Sequence, residues 1–164
     1  METRNYAGLD PLLGEFRNHL RITSHDLDAE LLNKLKAAIN TSEHEISSVI
    51  AFSTFTLDRM FAHTIKLRWP IKEVTSVKVD GTEIPAESYA HGEQYLAIAE
   101  SVEGDKVEVV YKAGYTTIPD DIKAAVFLLG GSLFNNPTDR PEERDRTTAR
   151  NLLRPYRRWG EHDG

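Results

Sequence analysis

Apolar residues return at helical spacing from Leu9 to about Ile50: first Leu12, Leu13, Phe16 and Leu20, then Leu27, Leu31, Leu35, Ala38, Ile39, Ile46 and Val49. Stripes of this period predict amphipathic helices, and two of them are the economical reading. The break falls at RITSHD, where Thr23 followed by Asp26 has the form of a capping box and where Ser24 or Asp26 could equally serve as the cap. From about Ala51 to Tyr115 the period becomes two. FAHTIKLRW alternates, Val74, Val77 and Val79 precede an Asp80-Gly81 turn, a short strand fits QYLAI, and GDKVEVVYKAGY follows a second turn at Gly104-Asp105. Alternation between such turns predicts a small antiparallel sheet of four or five short strands. Pro70 and Pro85, which cannot donate to a ladder, belong at strand starts, bulges or edges.

Helical spacing resumes at IPDDIKAAVFLLGGSLF, where Ile122, Ala125, Val126, Leu129 and Leu133 form one stripe. Pro119 suits the first helical position, and Asp120 and Asp121 complement the positive end of the helix dipole. Gly130 and Gly131 weaken the helix interior but admit a close neighbour. A last helix is expected from Pro141 to about Leu153, because Pro155 would remove a hydrogen bond and crowd the carbonyl of the preceding turn. The pattern therefore specifies an α+β fold in one domain: a small bundle of about four helices with an inserted antiparallel β-subdomain. Residues 9–50 hold the N-terminal helices, 51–117 the insert, and 118–159 the C-terminal helices and a basic aromatic tail.

Composition narrows the class. The chain has 164 residues, 40% hydrophobic and 28% charged, which is a globular balance. It contains no cysteine, so disulfides, thiolate metal sites and cysteine nucleophiles are excluded. No apolar run approaches the roughly 20 residues that span a bilayer, and METRNYAGLDPLL lacks the basic and apolar regions of a signal peptide, so a cytosolic origin is expected. The net charge is -6. Residues 140–158 break that trend with seven arginines, three acids and no lysine. Arginine without lysine favours planar, forked contacts with carboxylates and aromatic faces, although phosphate fits the same fork.

The motifs of catalysis are missing. There is no phosphate-cradling loop, no His-Glu-x-x-His helix and no nucleophile elbow around Ser132. Asp26, Asp28 and Glu30 have calcium-loop spacing without the glycine and glutamate such a loop needs, and read as the negative first turn of a helix. The six histidines show no paired metal-ligand spacing. The chain is read as a non-enzyme with no cofactor and no metal.

NHLRITSHDLDAELLNKLKAAI, IKLRWPIKEVTSVKVDG, VEVVYKAGYTTIPDDIKAAVFLL and LLRPYRRW, in that order, resemble the head-to-tail connector family of tailed bacteriophages and prophages. These are also called adaptor or head-completion proteins, and the version with a β-insert between the helices is the similar one. The likeness covers about residues 9 to 159. It implies a structural virion protein located at the head-tail interface, and in the host cytoplasm during assembly. It further implies a homo-oligomeric ring, expected as a dodecamer, beneath the portal protein. The ring would present a platform to the next connector, a stopper or a tail-completion protein, and pass genomic DNA through its lumen without sequence-specific binding. Arg150, Arg154, Tyr156, Arg157, Arg158 and Trp159 are the implied portal or subunit interface. The alternative is a nucleic-acid-binding protein that uses the Arg-rich C-terminal segment to contact phosphates and stack on bases.

Overall fold

The computed structural model describes residues 1–136, 138 and 140–158. They form two compact units, each built from two stretches of chain: a β unit of residues 1–7 and 51–116, and a helical unit of residues 8–50 and 117 onward. The fold is α+β, as the two periods in the sequence imply.

The β unit contains β1 (Glu2–Tyr6), β2 (Ser53–Met60), β3 (Thr64–Lys66), β4 (Ile71–Val79), β5 (Thr82–Glu83), β6 (Tyr89–His91), β7 (Tyr95–Ile98) and β8 (Lys106–Ala113). One sheet runs β1-β2-β8-β4-β5 and a second runs β3-β7-β6, all neighbours antiparallel. The described strands thus number eight rather than four or five, the additional ones being short or polar. Period two is strictest in β8, where Val107, Val109, Tyr111 and Ala113 are buried and the residues between them are not. Val77, Phe55, Ile65, Leu96 and Ile98 are among the other buried apolar residues of this unit. Asp80 and Gly81, with φ of 49° and 83°, make the two-residue hairpin that their sequence announces. The Asp80 carboxylate also accepts the N–H groups of Asp105 and Lys106, at 3.1 and 2.9 Å, tying that turn to the start of β8. Pro70 directly precedes β4 in a cis peptide bond with Trp69.

Strand β1 was not legible, since ETRNY has no apolar alternation. Its hold on β2 adds cross-strand chemistry to the backbone ladder: Arg4, 4.1 Å from the ring of Tyr6 on its own strand, lies 5.3 Å from the Phe55 ring, and its Nε donates to Ser53 Oγ at 3.0 Å. Glu2 accepts from the Tyr111 hydroxyl and from Arg68 Nε, each at 2.6 Å. Tyr111 is fully buried and stacks on Phe55 at 5.3 Å. Burial, then the neighbouring Glu2 carboxylate, pushes its phenol pKa well above the usual range.

The helical unit contains α1 (Asp10–His19), α2 (Asp28–Ile46), α3 (Asp120–Asn135) and α4 (Glu143–Leu153). Its core is the expected stripes: Leu12, Leu13 and Phe16 from α1, Leu31, Leu35 and Ile39 from α2, Ile122, Val126 and Leu129 from α3, with Ala149 and Leu153 from α4. The tolerance for a close neighbour at Gly130 and Gly131 is used by α1. A Cβ on Gly130 would lie 2.8 Å from Phe16 Cζ, and one on Gly131 3.2 Å from Leu20 Cδ2. Phe16 and Phe127 meet at 5.5 Å between ring centroids.

The capping box expected at Thr23 and Asp26 does not form, and Leu27 precedes α2 without a side-chain cap. Ser24 Oγ instead donates to Asp26 Oδ2 and accepts the Asp26 N–H, a local turn that competes with capping. The start of α2 is held by Arg17, whose Nη1 donates to both Asp28 oxygens at 2.7 and 2.8 Å. Hydrogen bonds from Arg17 and then His25 hold the Asp28 carboxyl below its usual pKa. Pro119 sits one residue earlier than expected, as the cap of α3, its carbonyl accepting from Lys123 N–H at 2.9 Å.

Ser42 sits on the buried face of α2, and its hydroxyl has no hydrogen-bond partner among the described residues. A buried hydroxyl without a partner carries a desolvation cost, and serine is a poorer helix former than alanine. Ser42→Ala is accordingly expected to leave stability unchanged or raise it by up to about 1 kcal/mol in urea unfolding. A loss of that size would reveal a partner for the hydroxyl.

Candidate interaction surface

Helix α4 begins where a serine fixes it. Ser132 Oγ, buried on α3, accepts the Glu142 N–H at 2.7 Å, so a residue with a nucleophile's chemistry serves as an anchor for the next helix. From there Ala149 and Leu153 face the core, while Arg146 and Arg150, a helical turn apart, stay exposed. Pro155 has no N–H to continue the ladder, and the chain tightens into one 3-10 turn over Arg154–Tyr156. It then returns to the end of α2, where Arg158 N–H donates to the Ile46 carbonyl at 3.3 Å.

Glu45 on α2 gathers these arginines. Its Oε1 lies 3.4 Å from Arg150 Nε and 3.9 Å from Arg157 Nη1. The geometry is that of a shared ion pair at a partly solvated site, in which each contact contributes modestly. The same end of α2 is locked by Glu43, mostly buried, whose Oε1 accepts the Ile50 N–H at 2.7 Å. Between α2 and α4 runs a groove of about 490 Å³, walled by His44, Glu45, Arg146 and Arg150 over Leu129 and Leu153.

Of the six residues the sequence nominates, Arg150 and Arg157 converge on Glu45, and Arg158 meets α2 through its backbone. Arg154 is exposed, Tyr156, Arg157 and Arg158 are half-buried, and Trp159 lies outside the described residues. Sequence reasoning missed Glu45 and His44, which stand more than a hundred positions from the arginines they face and carry no periodic signal. It noted Arg146 as part of the cationic cluster without placing it in the site.

Among the described residues, no group of three His, Cys, Asp or Glu side chains is arranged to hold a metal ion. No helix among them is long and apolar enough to cross a membrane. The chemistry on offer at this surface is recognition: guanidinium forks, one carboxylate and an apolar floor.

A family model described as head completion protein matches residues 13–131, well over half of the chain. No curated protein matches. Solved structures do. The chain is similar to one from the neck of an empty GTA particle computed with C6 symmetry, with a TM-score of 0.72 and 22% identity, covering 99% of this chain and 98% of that one. It is similar to one from the virion of a native gene transfer agent particle, with a TM-score of 0.72, 23% identity and the same coverage. A third, from the neck of a native GTA particle computed with C12 symmetry, gives a TM-score of 0.73 at 22% identity, again over 99% and 98% of the two chains. At such identity the likeness establishes a common fold.

Proposed function

The chain belongs to the head completion protein family, and we propose that it serves as a head-tail connector of a phage-like virion, in the form of a ring of identical copies beneath the portal that joins the DNA-filled head to the tail. The family match over residues 13–131 carries the reading. The symmetric necks in which its structural neighbours reside support a ring. A ring repeats each copy's charge of -6 around its channel, and a negative lumen repels phosphate and lets DNA slide.

In this reading Arg154, Tyr156, Arg157, Arg158 and Trp159 form the docking tip toward the portal or a neighbouring copy, beyond Arg150 at the end of α4. Arginine and aromatic side chains are what interface cores prefer. The test is Arg157→Ala/Arg158→Ala. The variant is expected to keep the wild-type circular dichroism spectrum and thermal midpoint, because the Arg157 ion pair with Glu45 spans 3.9 Å at a partly solvated site and the Arg158 hydrogen bond to Ile46 is made by the backbone. Its binding to the portal protein of the same particle, read by co-sedimentation, is expected to fall by about tenfold, the effect of losing an interface anchor. Wild-type binding would remove the tip from the interface, and unfolding would assign it to the core.

A further inference from the structure

The groove between α2 and α4 has more cationic capacity than its own subunit uses. A guanidinium carries five N–H donors, and the Arg150 contact with Glu45, Nε to Oε1, is a long one at 3.4 Å. Arg146, exposed on the same wall, has no ion pair among the described residues, and neither do Arg144 and Arg154. The cations that join elements of this unit behave differently: Arg17 on Asp28 and Lys123 on Glu15 sit at 2.7 Å from their acids.

Building on the ring reading above, we propose that this groove receives carboxylate side chains of a neighbouring copy of the chain, with Arg146 and Arg150 as their anchors. The groove suits an acidic polypeptide better than a nucleic acid. Glu45 in its wall opposes the dense charge of a phosphate backbone, whereas a peptide can place isolated carboxylates on the forks and apolar atoms over Leu129 and Leu153. The occupant is a copy because the chain carries 26 acids against 20 bases, so every subunit brings surplus carboxylate to its neighbour. A head-to-tail contact repeated around a closed ring sets one face of each copy against a different face of the next, which lets a cationic groove meet an acidic surface at every joint. This goes beyond the C-terminal tip by assigning His44, Arg146 and the α2 face to the subunit joint.

The test uses the assembled complex of full-length chain and portal. Unlabelled and 15N-labelled Arg146→Lys/Arg150→Lys protein are mixed, assembled and treated with a carbodiimide, which joins an amine to a carboxylate in contact. Mixed-isotope peptides linking position 146 or 150 to an acidic segment of this chain are expected. Arg146→Glu/Arg150→Glu, placing like charges at the joint, is expected to raise the concentration for half-assembly by about tenfold or more. Rings that form without mixed-isotope links and ignore the charge reversal overturn the inference and leave the ring reading standing. Links to the portal alone assign the groove to that partner instead. A duplex-DNA mobility shift that the reversal abolishes, with rings unaffected, assigns it to nucleic acid. Failure to form rings alone or with portal overturns the ring reading itself, and the inference with it.

Discussion

Phe16→Ala is expected to destabilise the helical unit by about 3–5 kcal/mol, the cost of removing a fully buried aromatic ring and leaving a cavity. The ring lies against Phe127 and over the backbone of α3 at Gly130, so its loss opens the contact between α1 and α3. Urea unfolding checks the value, and a loss below about 1 kcal/mol would mean that the site collapses around the gap or that the ring is not packed there. Gly130 supplies the complementary experiment. Alanine in a helix interior is favoured over glycine by about 1 kcal/mol, yet Gly130→Ala is expected to destabilise, because its methyl carbon would lie 2.8 Å from Phe16 Cζ. In the Phe16→Ala background the collision is gone and the same change should stabilise. A reversal of sign between the two backgrounds measures the contact directly, since non-additivity is the signature of groups that touch.

Tyr111→Phe is expected to cost the β unit about 1.5–3 kcal/mol, the range for a hydrogen bond to a charged partner. The hydroxyl donates to Glu2 at 2.6 Å and accepts from the Arg68 N–H at 3.3 Å, joining β1 to β8 across the width of β2. The substitution leaves Arg68 on Glu2 and the stack on Phe55, so the sheet core should survive while β1 loosens. Faster amide exchange at Thr3 and Asn5 is the readout. The pH dependence has a definite sign. The folded-state pKa lies above the ordinary value of 10.0, so the folded protein holds its phenol proton where the unfolded chain releases it. The stabilisation is complete below about pH 10 and is lost progressively as pH rises above it. Tyr111→Phe should therefore flatten the alkaline limb of the stability profile. An unchanged limb would exclude Tyr111 as its source.

Four helices and the Asp80-Gly81 hairpin were legible in the chain itself, because stripe, breaker and turn chemistry are local and repeat within a few residues. The paired glycines announced a close approach on α3, and the prolines marked the ends of elements. The cationic cluster of residues 140–158 was equally plain, together with the break that Pro155 imposes on it. Tertiary structure alone decided what these features meet. It chose Phe16 as the side chain against Gly130, and it made a strand of ETRNY by supplying Phe55, Arg68 and Tyr111 as neighbours. It replaced the expected cap of α2 with an ion pair from α1. It set Glu45 among the arginines of the C-terminal segment and left Arg146 without an acid among the described residues. The division follows from range: backbone propensity and hydrophobic period are written in neighbouring residues, whereas a charge or an edge strand takes its meaning from partners that only the folded chain brings within a few ångströms.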